Sequence, residues 1–183
     1  MAELSAAQLQ ALRELVEEHA GLAIPDERAA ELASVVDARV RATRVADVAA
    51  YVARLRAGVD AAAEIERIAL ALIVPETYFF RDRAQLDMIV DCALPERARA
   101  SHTGRVRVLS AGAASGAEAY SIAILARERR PDLAASLDIV GIDISPEAIE
   151  QARRGRYLPW ALRDTPPDIA QRYFSARGEA SEL

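Results

Sequence analysis

The sequence predicts an α/β fold in which an all-helical domain, residues 1–74, precedes the opening part of a parallel-sheet domain, residues 75–183. Three observations predict it. Apolar residues over the first seventy or so positions recur at helical spacing. Between Val106 and Asp143 the chain reads as a strand, a small-residue loop, a helix and a second strand ending in an acid. Hydrophobic residues make up 52% of the chain, ample for a core, and charges interrupt every apolar run.

The helices follow in order. Ser5 and Gln8 form a capping box ahead of Leu9, Leu12 and Val16, and Gly21 ends that helix. Pro25 and Asp26 start a second, which turns Leu32, Val35, Val36 and Val40 inward. A third runs from about Val45 to Leu55 and stops at Gly58; a fourth, through Ile65, Ile68, Leu70 and Leu72, stops before Pro75. Asp82 with Gln85 caps another, and Pro95 begins a shorter continuation toward Arg97 and Arg99. Ser101 to Gly104 turns into a strand over Arg105 to Ser110, and a second strand runs from Leu137 to Ile142.

Composition excludes several classes. No segment reaches the ~18 uncharged residues of a membrane span, and the first residues lack the pattern of a signal peptide. Cys92 is the only cysteine, so no internal disulfide forms; it reads as a small buried hydrophobe, and a cytoplasmic location is expected. There is no lysine, and the arginine and alanine usage reads as a composition bias rather than nucleic-acid contact, in keeping with a net charge of -5. His19 and His102 stand alone, read as surface residues, and indicate no metal site. Arg39, Arg41 and Arg44 lie close enough on the second helix to form one basic surface for an acidic helical partner, although Glu31 and Asp37 dilute it.

The Val106–Asp143 segment carries the chemistry. Small residues from Ala111 to Gly116 let the backbone approach a ligand at the carboxyl edge of a parallel sheet. Asp143 stands where a carboxylate accepts two ribose hydroxyls. The glycine pattern Gly112-x-x-x-Gly116-x-Glu118 differs from the dinucleotide pattern, and Glu118 in the first helical turn repels a pyrophosphate. The same acid suits a cation such as S-adenosylmethionine, and it also favours the positive end of a helix dipole. A dehydrogenase is disfavoured on both counts.

Pro75-Glu76-Thr77-Tyr78-Phe79-Phe80-Arg81-Asp82 resembles the N-E-T-x-F-F-R-D signature of the CheR family, chemotaxis receptor methyltransferases that use S-adenosylmethionine. The similarity continues through Ser110-Ala111-Gly112, Gly116 to Ser121, Gly141 to Ile144, Ala152 to Tyr157 and Arg172-Tyr173-Phe174. Upstream, Gly21-Leu22-x-Ile24 and Tyr51-x-x-x-Leu55 match the family's helical N-terminal domain. The resemblance implies a partial Rossmann-like methyltransferase domain in which Thr77, Arg81, Gly112, Glu118 and Asp143 contact the cofactor or line its pocket. It implies transfer of a methyl group to receptor glutamates, with Arg81 as the catalytic candidate because its fork matches a carboxylate. Tyr78, Phe79 and Phe80 read mostly as core.

The match departs from the family at Pro75, where asparagine is usual, and at Ala117 and Ala119, which replace a glutamate and a proline. The family also continues past the point matching Leu183, with further strands, an asparagine-bearing segment around the adenine and an inserted β-subdomain. The expectation is therefore the first half of a catalytic domain, weak in cofactor binding and inactive alone. The competing expectation is a non-catalytic module that docks receptors and keeps a vestigial cofactor site.

Overall fold

The computed structural model describes residues 4–73 and 76–183, so Pro75 lies outside the described residues. The chain divides into two compact units, Met1–Val74 and Pro75–Leu183.

The first unit is helical. Helix α1 (Ala6–Ala20) opens with the full Ser5–Gln8 capping box and closes at Gly21, whose φ of 65° needs no β-carbon strain. A 3-10 turn at Asp26–Arg28 leads into α2 (Ala29–Thr43); α3 (Val48–Arg56) is capped by the Asp47 side chain, and α4 is Ala61–Leu72. Leu12, Val16, Leu32, Val36, Tyr51, Leu55, Ile65, Ile68 and Leu72 form the core, with Val35 and Val40 half-buried against it. Helix α1 packs on α3 and α4, so this unit needs no strand to bury its apolar stripes. Arg28 ties the bundle end: it grips Glu31 with two hydrogen bonds and donates to the terminal carbonyl of Leu72.

The second unit mixes helices with two small sheets. Helix α5 (Arg83–Met88), a π-helical turn at Ile89–Ala93 and α6 (Leu94–Ala100) run on without a break. Pro95 has no N–H for a regular helical bond, and the wider turn before it absorbs the mismatch. Cys92 is exposed, against the buried position expected of it: two residues from the buried Val90, it falls on the opposite face of the helix. Asp82 precedes α5 but does not cap it through its side chain, because its φ of 55° swings the carboxylate away.

Strand β1 (Val106–Ala111) is followed by α7 (Ala117–Arg129), a short α8 (Pro131–Ala134) and β2 (Leu137–Ile142). The two strands pair in parallel with Val106 opposite Leu137 and Ala111 opposite Ile142. Strand β2 matches the expected span, and β1 starts one residue later than expected. Val106, Val108, Leu137 and Ile139 face the core that α6 and α7 complete, while Leu109, Val140 and Ile142 on the other face are 62%, 40% and 51% exposed.

After α9 (Pro146–Arg154) come β3 (Arg156–Tyr157), a 3-10 turn (Pro159–Leu162), α10 (Pro167–Tyr173), β4 (Ser175–Arg177) and β5 (Ala180–Glu182). The last three strands form an antiparallel sheet in the order β3-β5-β4, an addition to the two strands legible in sequence. An aromatic knot joins these pieces. Phe79 meets Tyr157 edge to face at 4.7 Å and Phe174 at 4.9 Å, so the motifs containing these three residues meet in the core.

Candidate functional site at the β1–β2 edge

The loop leaving β1 is closed by backbone bonds: the N–H groups of Gly112 and Ala113 both donate to the Ile142 carbonyl at 2.9 Å. Gly112 (φ 75°) faces open space, whereas Gly116 (φ 84°) would set a β-carbon 2.9 Å from that of Ala152. Ala114 also takes positive φ, 46°, which costs a residue with a β-carbon about 1–2 kcal/mol. Its N–H donates to Asp143 Oδ2 at 2.8 Å, and the Ser145 N–H donates to Oδ1 at 2.8 Å. One acid thus binds both loops at the strand ends. Each of its oxygens keeps a lone pair for a further donor.

Glu118 stands exposed in the first turn of α7, and its Oε1 accepts from the Ser110 hydroxyl at 2.7 Å. Ser110 is buried at the inward end of β1. Gly112, Glu118 and Asp143 therefore share one continuous edge, held by Ser110, Ala114 and Ser145. The sequence places Ser110 in the family motif and Ala114 in the small-residue loop, but their bonds to Glu118 and Asp143, and the part of Ser145, appear only in the structure. A cavity of about 430 Å³ touches this loop at Ala113 and Gly116, but it lies on the helix-covered face, walled by Tyr120, Ile139 and Ala152.

Thr77 and Arg81 sit on the loop before α5. Thr77 is half-buried, and the Arg81 side chain closes a ring around it by donating to the Glu76 carbonyl at 2.8 Å. Arg81 is exposed and lies 5.7 Å from the centre of the Tyr78 ring. Phe80 and Asp82 flank it at φ 60° and 55°, an uncommon conformation for a bulky aromatic. The Phe80 N–H donates 2.9 Å to Ser121 Oγ, which donates in turn to the Ala117 carbonyl. That bond pins the loop to the start of α7, three residues past Glu118. Phe79 and Phe80 are buried as expected.

The arginine surface of the first unit is smaller than expected. Arg39 donates twice to the buried Glu64, at 3.0 and 2.8 Å, alongside the Tyr51 hydroxyl at 2.9 Å and Arg67 at 2.6 Å. Burial pushes the Glu64 carboxyl up and these donors pull it down, with a net fall below the ordinary carboxylate value. Burial and the neighbouring carboxylate both push the Tyr51 hydroxyl up. Arg41 pairs with Asp37 at 2.5 Å, and Arg44 ends α2 in a left-handed conformation. Arg39 is thus a structural cation rather than part of a free docking face. Among the described residues, no His/Cys/Asp/Glu group is placed to hold a metal ion, and no helix is long and apolar enough to cross a membrane.

A small-residue loop, an acid after the second strand and a second acid in the next helical turn stand together at one edge of a parallel pair, the edge at which open α/β sheets bind ligands. Residues 75–182 match the CheR methyltransferase SAM-binding domain, and the chain belongs to that family. Its cofactor is S-adenosylmethionine. The chain is similar to the chemotaxis protein methyltransferase of Salmonella typhimurium, with 32% identity over 93% of this chain and 57% of that protein. It is also similar to chemotaxis protein methyltransferase 2 of Vibrio cholerae, 31% identical over 64% of this chain and 41% of the relative. Chemotaxis protein methyltransferase 1 of Pseudomonas aeruginosa is 33% identical over 62% of this chain and 43% of its own. The chain spans about half the length of the curated relatives it matches.

The β1–β2 edge fits this cofactor chemically. A β-carbon on Gly112 would meet nothing within 4 Å, Glu118 and Asp143 put two carboxylates at the edge, and each Asp143 oxygen keeps acceptor capacity beyond its one backbone bond.

Proposed function

We propose that this chain is the first half of a Rossmann-like methyltransferase domain that acts in the cytoplasm on glutamate side chains of chemotaxis receptors, forming glutamate methyl esters. The observation that carries the reading is the Asp143 latch between the two strand-end loops, with Glu118 on the same edge. Residues 1–74 serve as its helical N-terminal domain.

In this reading Asp143 accepts the ribose hydroxyls, Glu118 faces the positive end of the cofactor, and Gly112 gives it backbone clearance. Thr77 lines the pocket. When bound, S-adenosylmethionine supplies an electrophilic methyl group carried on a sulfonium. A substrate glutamate, with a reference pKa near 4.3, is ionised at neutral pH, so no side chain is needed as general base. The protein's task is alignment. Arg81 holds a carboxylate in its fork after exchanging the Glu76 carbonyl for it, a trade from a neutral acceptor to a charged one.

The test offers radiolabelled S-adenosylmethionine and a glutamate-bearing receptor fragment to this chain and to a version extended to the relatives' full length. Base-labile label is expected on the receptor from the long form, with none above background from the 183 residues. A long form that leaves the receptor unlabelled would sink the reading. Equal rates from the two forms would show that the site lies wholly within this chain.

A further inference from the structure

The 3-10 turn Pro159–Leu162 carries the chain's single tryptophan, and it is bound to the loop of Thr77 and Arg81 by a 2.9 Å hydrogen bond from the Phe79 N–H to the Ala161 carbonyl. Beside it the Arg163 guanidinium is bracketed by two rings, 3.3 Å from the centre of Tyr78 and 3.4 Å from that of Trp160. The rings stand 6.0 Å apart at 74°, and Arg163 is fixed further by donating 3.0 Å to the Trp160 carbonyl. Its nearest carboxylate, Glu76, is 3.9 Å away, and Arg81 donates through Nη1 to a backbone carbonyl rather than to a carboxylate. Trp160 is 52% exposed and Leu158 65% exposed. Two guanidiniums thus share one tyrosine ring, weakly neutralised, beside open apolar surface.

We propose that Tyr78, Trp160 and Arg163, with Leu158 at the rim, form a docking surface for an acidic peptide segment, the stretch of the protein substrate around its glutamates. This deepens the methyltransferase reading and rests on it. Arg163 takes a carboxylate of the segment, its plane already oriented by the rings, while Trp160 and Leu158 cover aliphatic side chains. The exposed apolar rim calls for an amphipathic partner. A polyphosphate chain fits less well, because the surface offers two arginines beside exposed Trp160 and Leu158 rather than a continuous basic track.

Trp160 reports on its own surface, since no other tryptophan contributes emission. The full chain is titrated with a leucine- and glutamate-containing peptide, with its glutamine counterpart, and with a single-stranded oligonucleotide. The glutamate peptide is expected to shift Trp160 emission saturably, and the glutamine peptide to bind roughly tenfold more weakly. Arg163→Gln is expected to lose about the same factor, Arg163→Lys less, and Leu158→Asp to weaken binding with the fold intact by circular dichroism. Unmoved emission, wild-type affinity in a folded Arg163→Gln, or tighter binding of the oligonucleotide would overturn the proposal. Methyl transfer by the extended form separates the two readings: peptide binding without transfer removes the methyltransferase, and transfer with full rate and unchanged KM in Arg163→Gln removes the docking surface.

Discussion

Asp143 accepts the backbone N–H of Ala114 at 2.8 Å, so the acid that ends β2 also sets the conformation of the loop that leaves β1. Ala114 holds a left-handed φ of 46° there, and the charged hydrogen bond offsets that strain. The same carboxylate is the proposed acceptor for ribose, and the two roles separate experimentally.

Asp143→Asn keeps one accepting oxygen and turns an amide N–H against a backbone N–H. In the chain extended to full family length it is expected to weaken S-adenosylmethionine by roughly 1.5–3 kcal/mol and to speed hydrogen exchange at Ala114. Calorimetric titration and amide exchange measure the two effects apart. Faster exchange with an unchanged Kd would leave Asp143 a loop latch and remove it from the cofactor site.

Gly116 and Gly112 share a positive φ but differ in their surroundings. A β-carbon on Gly116 would lie 2.9 Å from Ala152 Cβ and 3.0 Å from the Tyr120 ring, whereas one on Gly112 meets nothing within 4 Å. Gly112→Ala is expected to cost about 1 kcal/mol from backbone strain alone, and Gly116→Ala roughly 1–3 kcal/mol more from overpacking. Denaturant unfolding of the two variants checks the difference. Equal losses would mean that α9 yields freely to the added methyl.

Local chemistry made much of this fold legible, and long-range pairing hid the rest. Ser5 and Gly21 act within one turn of their helix, and β2 is bounded by punctuation at both ends, so these features stand in the sequence; the third helix, expected from about Val45, instead begins at Val48 behind the Asp47 cap. Strands β3 to β5 are two or three residues long and pair Arg156 with Glu182, which no local alternation announces. The positive φ of Phe80 and of Asp82 is imposed by contacts such as Phe80 to Ser121, and it overrides what an aromatic or a capping acid does alone. At the candidate site the acids and glycines were readable by type and spacing. Their supporting bonds, Ser110 to Glu118 and the Ala114 N–H to Asp143, become visible only once the strands are aligned.

The uncovered face of the parallel pair has a cost. Leu109, Val140 and Ile142 lie side by side on it, and a two-stranded sheet offers unpaired edges as well. The chain is expected to self-associate as concentration rises, and Leu109→Gln with Ile142→Thr to reduce that association. Sedimentation velocity over a concentration series reads it. A wild-type chain that stays monomeric throughout would show that the open face is tolerated.

Glu64 gives the helical unit an acid-sensitive point. The residue is 4% exposed; burial alone would raise its pKa, but hydrogen bonds from Arg39, Tyr51 and Arg67 bring it net below the ordinary 4.5. A carboxyl depressed in the folded state contributes its full stability above the unfolded pKa and loses it as pH falls through the lower folded value. The Glu64 contribution is therefore intact at neutral pH and declines below about 4.5. Glu64→Gln leaves Arg39 without its buried counter-charge, at an expected cost of about 3 kcal/mol at neutral pH, and it removes this titration from the acid limb. Hydrogen exchange of the α4 amides in the full chain, followed from neutral pH into acid, measures both. An acid profile of the same steepness in Glu64→Gln and in the unaltered chain would assign the acid sensitivity to other carboxylates.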